Sequence, residues 1–165
     1  MNTQTTLPAV VRSVTVNAAI ERAFSVFTES FAAWWPAAHH INPNGYEAAY
    51  IEPREGGRWY ERGPDGTECD WGQVIEWDPP NRVLLTWQLN GEFEYDADPG
   101  RASEVEVRFT AEGPSTTRVE IVHSKFERAV GSARLAEGVG GPAGWSGLLG
   151  RYAVLIEGRE PSSLG

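Results

Sequence analysis

The stretch Trp145-Ser146-Gly147-Leu148-Leu149-Gly150-Arg151-Tyr152-Ala153-Val154-Leu155-Ile156 decides how the rest of the chain is read. Trp145, Leu148, Leu149, Tyr152, Leu155 and Ile156 recur at i, i+3, i+4, i+7, i+10 and i+11, the apolar stripe of an amphipathic helix. Such a stripe has to be buried against another apolar face, and the only large one the chain offers lies in the strands upstream.

Between Tyr46 and His123 the hydropathy pattern alternates with period 2, and turn residues interrupt it at short intervals. Val83, Leu85, Trp87 and Leu89 share one face, opposite Leu84, Thr86 and Gln88. Val105, Val107 and Phe109 point inward while Glu104, Glu106 and Arg108 point outward, and Val119, Ile121 and His123 continue the inner face. Gly63-Pro64-Asp65-Gly66 reverses the chain between strands at 57–62 and 67–77, because proline presets a turn dihedral and the second glycine admits positive φ. Asp78-Pro79-Pro80-Asn81 makes the next turn. Upstream, Val14 and Val16 alternate with Ser13 and Thr15 in a short strand. Asn17 is the expected cap of a helix carrying Ile20, Ala23, Phe24 and Phe27. Ser30 is the expected cap of a second helix through Phe31, Trp34 and Trp35, which Pro36 ends. The glycines of 131–144 predict a mobile connector that serves as a lid.

The expected fold is therefore α+β: a curved antiparallel sheet of about six or seven strands wrapped around a long C-terminal helix, with two short helices after the first strand. A ligand-sized apolar cavity is expected between sheet and helix. The domain is expected to span 10–158, with a flexible segment at 1–9 and a tail at 159–165.

The 165 residues suit one domain, and 41% hydrophobic with 22% charged residues is ordinary for a folded soluble chain. Seven Trp, five Tyr and six Phe stand against a single Met, so rigid aromatics build the interior. A net charge of -9, with Lys125 the sole lysine, argues against nucleic acid as a partner. Cys69 is the only cysteine, which excludes an internal disulfide and a cysteine-cluster metal site. The opening eight residues lack a basic stretch and no long apolar run follows, so membrane insertion is not expected and a cytoplasmic location is.

Several motifs sharpen the fold. Trp34-Trp35-Pro36 after a helix, Gly56-Gly57-Arg58-Trp59 before a hairpin, and Gly72-Gln73-Val74-Ile75-Glu76-Trp77-Asp78-Pro79-Pro80-Asn81-Arg82 followed by Leu85-Thr86-Trp87 are three of them. Thr117-Arg118-Val119 leading to His123-Ser124, and Gly144-Trp145 opening a helix with Leu148-Leu149, complete the set. Over roughly residues 10–158 the chain resembles the SRPBCC, START-like superfamily with its helix-grip (Bet v 1-like) fold, and within it the Hsp90-ATPase-activator-homologue branch. The resemblance implies a fold whose members bind lipids, hormones or polyketides, or serve as co-chaperone domains.

His123 is the sharpest candidate for chemistry, because its parity with Val119 and Ile121 aims an imidazole at the concave side, where it would orient a ligand or move a proton. Trp59, Trp71, Trp87, Phe109, Trp145, Leu149 and Tyr152 are the expected cavity walls. Gln73, in phase with Trp71 and Ile75, is the expected polar group among them. Glu61 shares parity with Trp59, but an exposed edge-strand glutamate is the simpler expectation. His39 and His40 are adjacent, so their side chains diverge, and no third ligand accompanies them at metal spacing. No metal and no cofactor are expected. The glycines of 138–144 lack the Lys-Ser/Thr ending of a phosphate loop, and Gly144-Trp145-Ser146-Gly147 lacks the spacing of a nucleophile elbow. The leading expectation is a protein that encloses a small apolar or amphipathic ligand. A polyketide cyclase or dehydratase-like enzyme using the same cavity and a co-chaperone-type interaction domain are the alternatives. Homodimerisation through the Trp34-Trp35 region is left open.

Overall fold

The alternating stretch resolves into six consecutive strands, β2 (Ala48–Ile51), β3 (Arg58–Arg62), β4 (Glu68–Asp78), β5 (Arg82–Trp87), β6 (Ser103–Gly113) and β7 (Thr116–Ser124), preceded by β1 (Val10–Val16). This computed structural model describes residues 7–36 and 39–158; the expectations for residues 1–6 and for the tail 159–165 lie outside the described residues. The strands form one antiparallel sheet in the order β1-β7-β6-β5-β4-β3-β2. The meander is continuous from β2 to β7, and β1 adds to β7 from Val10 opposite His123 to Val16 opposite Thr117. Helices α1 (Ile20–Thr28) and α2 (Phe31–Trp34) carry the chain from one edge of the sheet to the other. The helices α3 (Ser132–Gly140) and α4 (Trp145–Ile156) follow the last strand. The curled sheet and the C-terminal helix it holds make this a helix-grip fold.

The stripe of α4 is buried as its period requires. Trp145, Leu148, Leu149, Tyr152 and Ile156 are buried, Leu155 is half-buried, and Val154 is buried beside it. Each fully buried side chain of this size contributes about 1.5 to 3 kcal/mol. Polar tethers then fix the helix against α1 and α2. The Tyr152 hydroxyl donates to the Ala23 carbonyl at 2.7 Å, Arg151 Nε to the Trp34 carbonyl at 2.9 Å, and Arg22 Nη1 to the Ile156 carbonyl at 2.6 Å. The last of these satisfies a carbonyl orphaned at the helix end. Phe24 and Phe27 of α1 pack edge-on against Phe109 of β6, with centroids 5.1 and 5.8 Å apart. On the outer face Arg82 pairs with Glu76 and Glu106, and Arg108 with Glu106 at 2.8 Å, the solvated side that the alternation predicts.

Four expectations need correction. Asn17 is exposed and does not cap α1: the N-cap is Ala19, with no side-chain bond, and burial of Ala23, Phe24 and Phe27 defines the helix instead. Ser30 occupies the N-cap of α2 but its side chain makes no capping bond. The stretch 131–144 is not a bare connector, because nine of its residues form α3, on which Leu135 and Val139, four apart, are buried. That apolar pair outweighs the weak helix propensity of the surrounding glycines. Its start is held by backbone contact: a Cβ on Gly91 would lie 2.2 Å from the Gly131 carbonyl oxygen.

The fourth correction concerns β4. Trp59 pairs with Gly72 and Tyr60 with Asp70, so Trp71 is an extra residue; Val74 pairs with Leu85 and Glu76 with Leu84, so Ile75 is another. Each β-bulge inverts the alternation. Trp71 and Val74 are buried while Gln73 and Ile75 are exposed, in place of the uniform parity read from the sequence. The Gln73 amide leaves the ladder and donates to Thr86 Oγ1 at 2.8 Å.

Candidate functional site

Four indoles converge where α2 ends, where β4 and β5 run side by side, and where α4 begins. Trp35 stands 5.0 Å from Trp71 and 6.2 Å from Trp145, and Trp87 stands 5.7 Å from Trp145, centroid to centroid. Phe31 stacks on Trp35 at 5.0 Å and backs this wall. Between the indoles lies a cavity of about 380 Å³. That is at the small end of ligand-sized pockets, about 300 to 1,000 Å³. Leu89 and Phe93 close one side from the β5–β6 connection, and Gly138 and Val139 of α3 close another. The glycine-rich stretch thus supplies a helical wall.

The loop after α2 completes the rim with His39, His40 and Ile41. Its position depends on Glu61. This carboxylate, on β3, is fully buried and accepts three N–H bonds: from the Ile41 amide at 2.7 Å, the Asn42 amide at 3.2 Å and Trp71 Nε1 at 2.9 Å. The expectation of an exposed edge glutamate is therefore corrected. A buried carboxylate surrounded by donors is stable where a lone one is not. One side chain thereby aligns both a cavity wall and the rim loop. Asn42 docks the same loop onto the β3–β4 hairpin by donating to the Thr67 carbonyl at 3.0 Å.

Of the four indole N–H groups, three are consumed. Trp71 donates to Glu61, Trp145 to His123 Nδ1 at 3.0 Å, and Trp35 to the His39 carbonyl at 3.2 Å. Trp87 Nε1 has no hydrogen-bond partner among the described residues. Apart from the indoles, His39 and His40 are the polar side chains lining the cavity among the described residues.

Residues 17–150 match the family described as Activator of Hsp90 ATPase homolog 1-like protein. The chain belongs to that family. Solved structures of the same fold are similar to it over most of its length. The anthrahydroquino-γ-pyrone synthase Txn09 is 40% identical, with 90% of this chain and 96% of that one covered, at a TM-score of 0.62. The self-sacrificing resistance protein CalC from Micromonospora echinospora is 33% identical, with 91% and 94% covered, at a TM-score of 0.66. A protein from Arthrobacter aurescens, at 18% identity, 93% and 88% coverage and a TM-score of 0.62, shares the fold. No curated protein matches the chain in sequence.

In this Hsp90-activator-homologue domain, the residues expected at the site separate into three groups. Trp71, Trp87 and Trp145 line the cavity. Trp59, Phe109, Leu149 and Tyr152 are buried core that does not reach it, and burial pushes the Tyr152 hydroxyl above its usual range. Gln73 is exposed beyond the bulge and is not a cavity group. Trp34 and Trp35, considered for a dimer contact, are both buried.

His123 is fully buried but lies behind Trp87 and Trp145 rather than on the cavity surface. Its Nδ1 accepts from Trp145, so the proton of the neutral ring sits on Nε2. Nε2 bonds Ser103 Oγ at 2.8 Å, and Ser103 in turn donates to the Trp87 carbonyl at 3.4 Å. Desolvation lowers the pKa from 6.5 to about 3. The imidazole, with both nitrogens engaged, bridges α4 and the sheet behind the cavity wall, away from the lining where a ligand contact was expected.

Leu89, Phe93, Val139 and Leu148 line the cavity without standing out in the sequence, and so do His39 and His40. The adjacent histidines after Trp34-Trp35-Pro36 were the available signal. Among the described residues no cluster of three His, Cys, Asp or Glu side chains is arranged to hold a metal ion, and no helix is long and apolar enough to cross a membrane.

Proposed function

We propose that the protein binds a planar, largely apolar aromatic molecule of polyketide type in the four-indole cavity. The observation that carries this reading is the wall itself: Trp35, Trp71, Trp87 and Trp145 surround about 380 Å³ with ring faces and edges. Stacked or edge-on aromatic contacts each contribute about 0.5 to 1.5 kcal/mol beyond the area they bury, which favours a flat ring system over a flexible chain. The 40% identity to a synthase named for an anthrahydroquino-γ-pyrone supports the same ligand class. That name also favours a second reading, in which the bound skeleton is cyclised. Such an enzyme would draw its proton carrier from the rim histidines, because His123 is enclosed. A co-chaperone-type interaction domain has less support. Among the described residues the exposed large apolar side chains are Val11 of β1, Ile75 of β4, Phe93 and Tyr95 of the β5–β6 connection, and Val130.

Intrinsic fluorescence tests the proposal. Anthraquinone is expected to quench tryptophan emission saturably, and a fatty acid of equal mass is not. Native mass spectrometry should show a one-to-one complex with the aromatic probe. Uptake of the fatty acid alone, or of neither, would sink the aromatic-ligand reading.

A further inference from the structure

The rim histidines are fixed in a way that specifies what they can accept. His39 Nε2 lies 3.0 Å from the Ala143 carbonyl oxygen, and His40 Nδ1 lies 2.9 Å from the Asn42 carbonyl oxygen. A carbonyl oxygen only accepts hydrogen bonds, so each of these ring nitrogens carries the proton. In the neutral rings His39 Nδ1 and His40 Nε2 are then acceptors that meet no donor among the described residues, and both side chains line the same aromatic cavity. Neither ring is free to turn without breaking its backbone bond. Glu61 holds the amides of Ile41 and Asn42 beside them, and the His39 ring packs edge-on against Trp35 at 5.9 Å.

We infer that His39 and His40 form an acceptor rim selecting aromatic ligands that carry a weakly acidic hydroxyl, a phenol or an enol, seated at the cavity mouth. The inference rests on the aromatic-ligand reading and names the polar group of that ligand. Two lone pairs call for a donor, and the acidic O–H of a phenol or enol is the strong donor that a flat ring system carries. A carboxylate brings no proton to share and approaches a chain of net charge -9. Three of the four indole donors are already used, so the histidines supply most of the free polar capacity of the cavity.

The test compares 2-hydroxyanthraquinone with 2-methoxyanthraquinone by tryptophan quenching, at a pH where the phenol is neutral. The methyl ether keeps the ring system and removes the donor. The hydroxy compound is expected to bind about tenfold more tightly, the equivalent of one net hydrogen bond. Replacing both rings (His39→Phe with His40→Phe) should bring the ratio of the two affinities close to one, whatever the change in affinity common to both probes. Equal affinity of the two probes for the unaltered protein would overturn the inference and leave the aromatic-ligand reading standing. A preference that survives in the double variant would also overturn it. Binding of neither probe would overturn the reading itself. Should the double variant not fold, the ratio in the unaltered protein decides.

Discussion

The indole N–H of Trp145, the first residue of α4, donates to Nδ1 of His123 on β7 at 3.0 Å, in a region where neither side chain meets bulk water. This bond ties the start of the gripped helix to the sheet and continues through Ser103 to the Trp87 backbone. The helix therefore begins where it does for a reason beyond its apolar stripe.

Removing the donor while keeping an aromatic ring isolates that contribution. Trp145→Phe leaves His123 Nδ1 buried without a partner and trims a cavity wall. The expected loss is about 1 to 3 kcal/mol from the unpaired acceptor, before any cost of packing. The urea midpoint should fall with an unchanged m-value, and affinity for an aromatic probe should fall with it.

His123 also sets a pH dependence. Its pKa is near 3 folded and 6.5 unfolded, so between those values the unfolded chain binds the extra proton. Stability from this group is complete above pH 6.5 and is lost as the pH falls toward 3, by up to about 1.4 kcal/mol per pH unit. Replacement by a group that does not titrate, His123→Gln, should flatten the stability profile between pH 6 and pH 4 by about one proton. An unaltered slope in chemical denaturation would refute the assignment.

Glu61→Gln tests the anchor under the rim. Oε1 receives the Ile41 amide and Trp71, and Oε2 receives the Asn42 amide, so every contact needs an acceptor. Whichever way the glutamine amide is turned, its NH2 faces a donor. The expected cost is about 2 to 3 kcal/mol, with weaker binding of the aromatic probe as the 39–42 loop loosens. Denaturation and fluorescence titration on the same sample separate the two effects.

Gly138→Ala tests the wall that α3 contributes. A Cβ there would lie 3.0 Å from Phe93 Cζ, the far end of a side chain that is 40% exposed and able to move. Alanine should favour the helix by about 0.5 to 1 kcal/mol, offsetting the displacement of the ring. Thermal stability is therefore expected to hold while affinity for the aromatic probe drops, because the moved ring closes the cavity.

The architecture was legible in the residues because it depends on periodicity. The stripe of α4, the alternation in β5, β6 and β7, and the hairpin at Gly63-Pro64-Asp65-Gly66 are local patterns that bury or expose side chains wherever the strands are placed. Three of the four cavity indoles, Trp71, Trp87 and Trp145, were read from the same patterns. Parity failed at Gln73, because a β-bulge depends on how the partner strand pairs and leaves no mark in the alternation of its own strand. At Glu61 the parity with Trp59 pointed inward but a lone carboxylate reads as exposed, and at His123 the inward direction was readable while the role was not. Whether a buried polar group is a site or a strut depends on the partners that satisfy it. Those partners, the amides of Ile41 and Asn42 in one case and Trp145 with Ser103 in the other, lie 19 to 22 residues away in sequence. Short-range periodicity decides which faces are buried; the folded chain decides which polar atoms meet there, because hydrogen bonds are satisfied by position in space and not by spacing along the backbone.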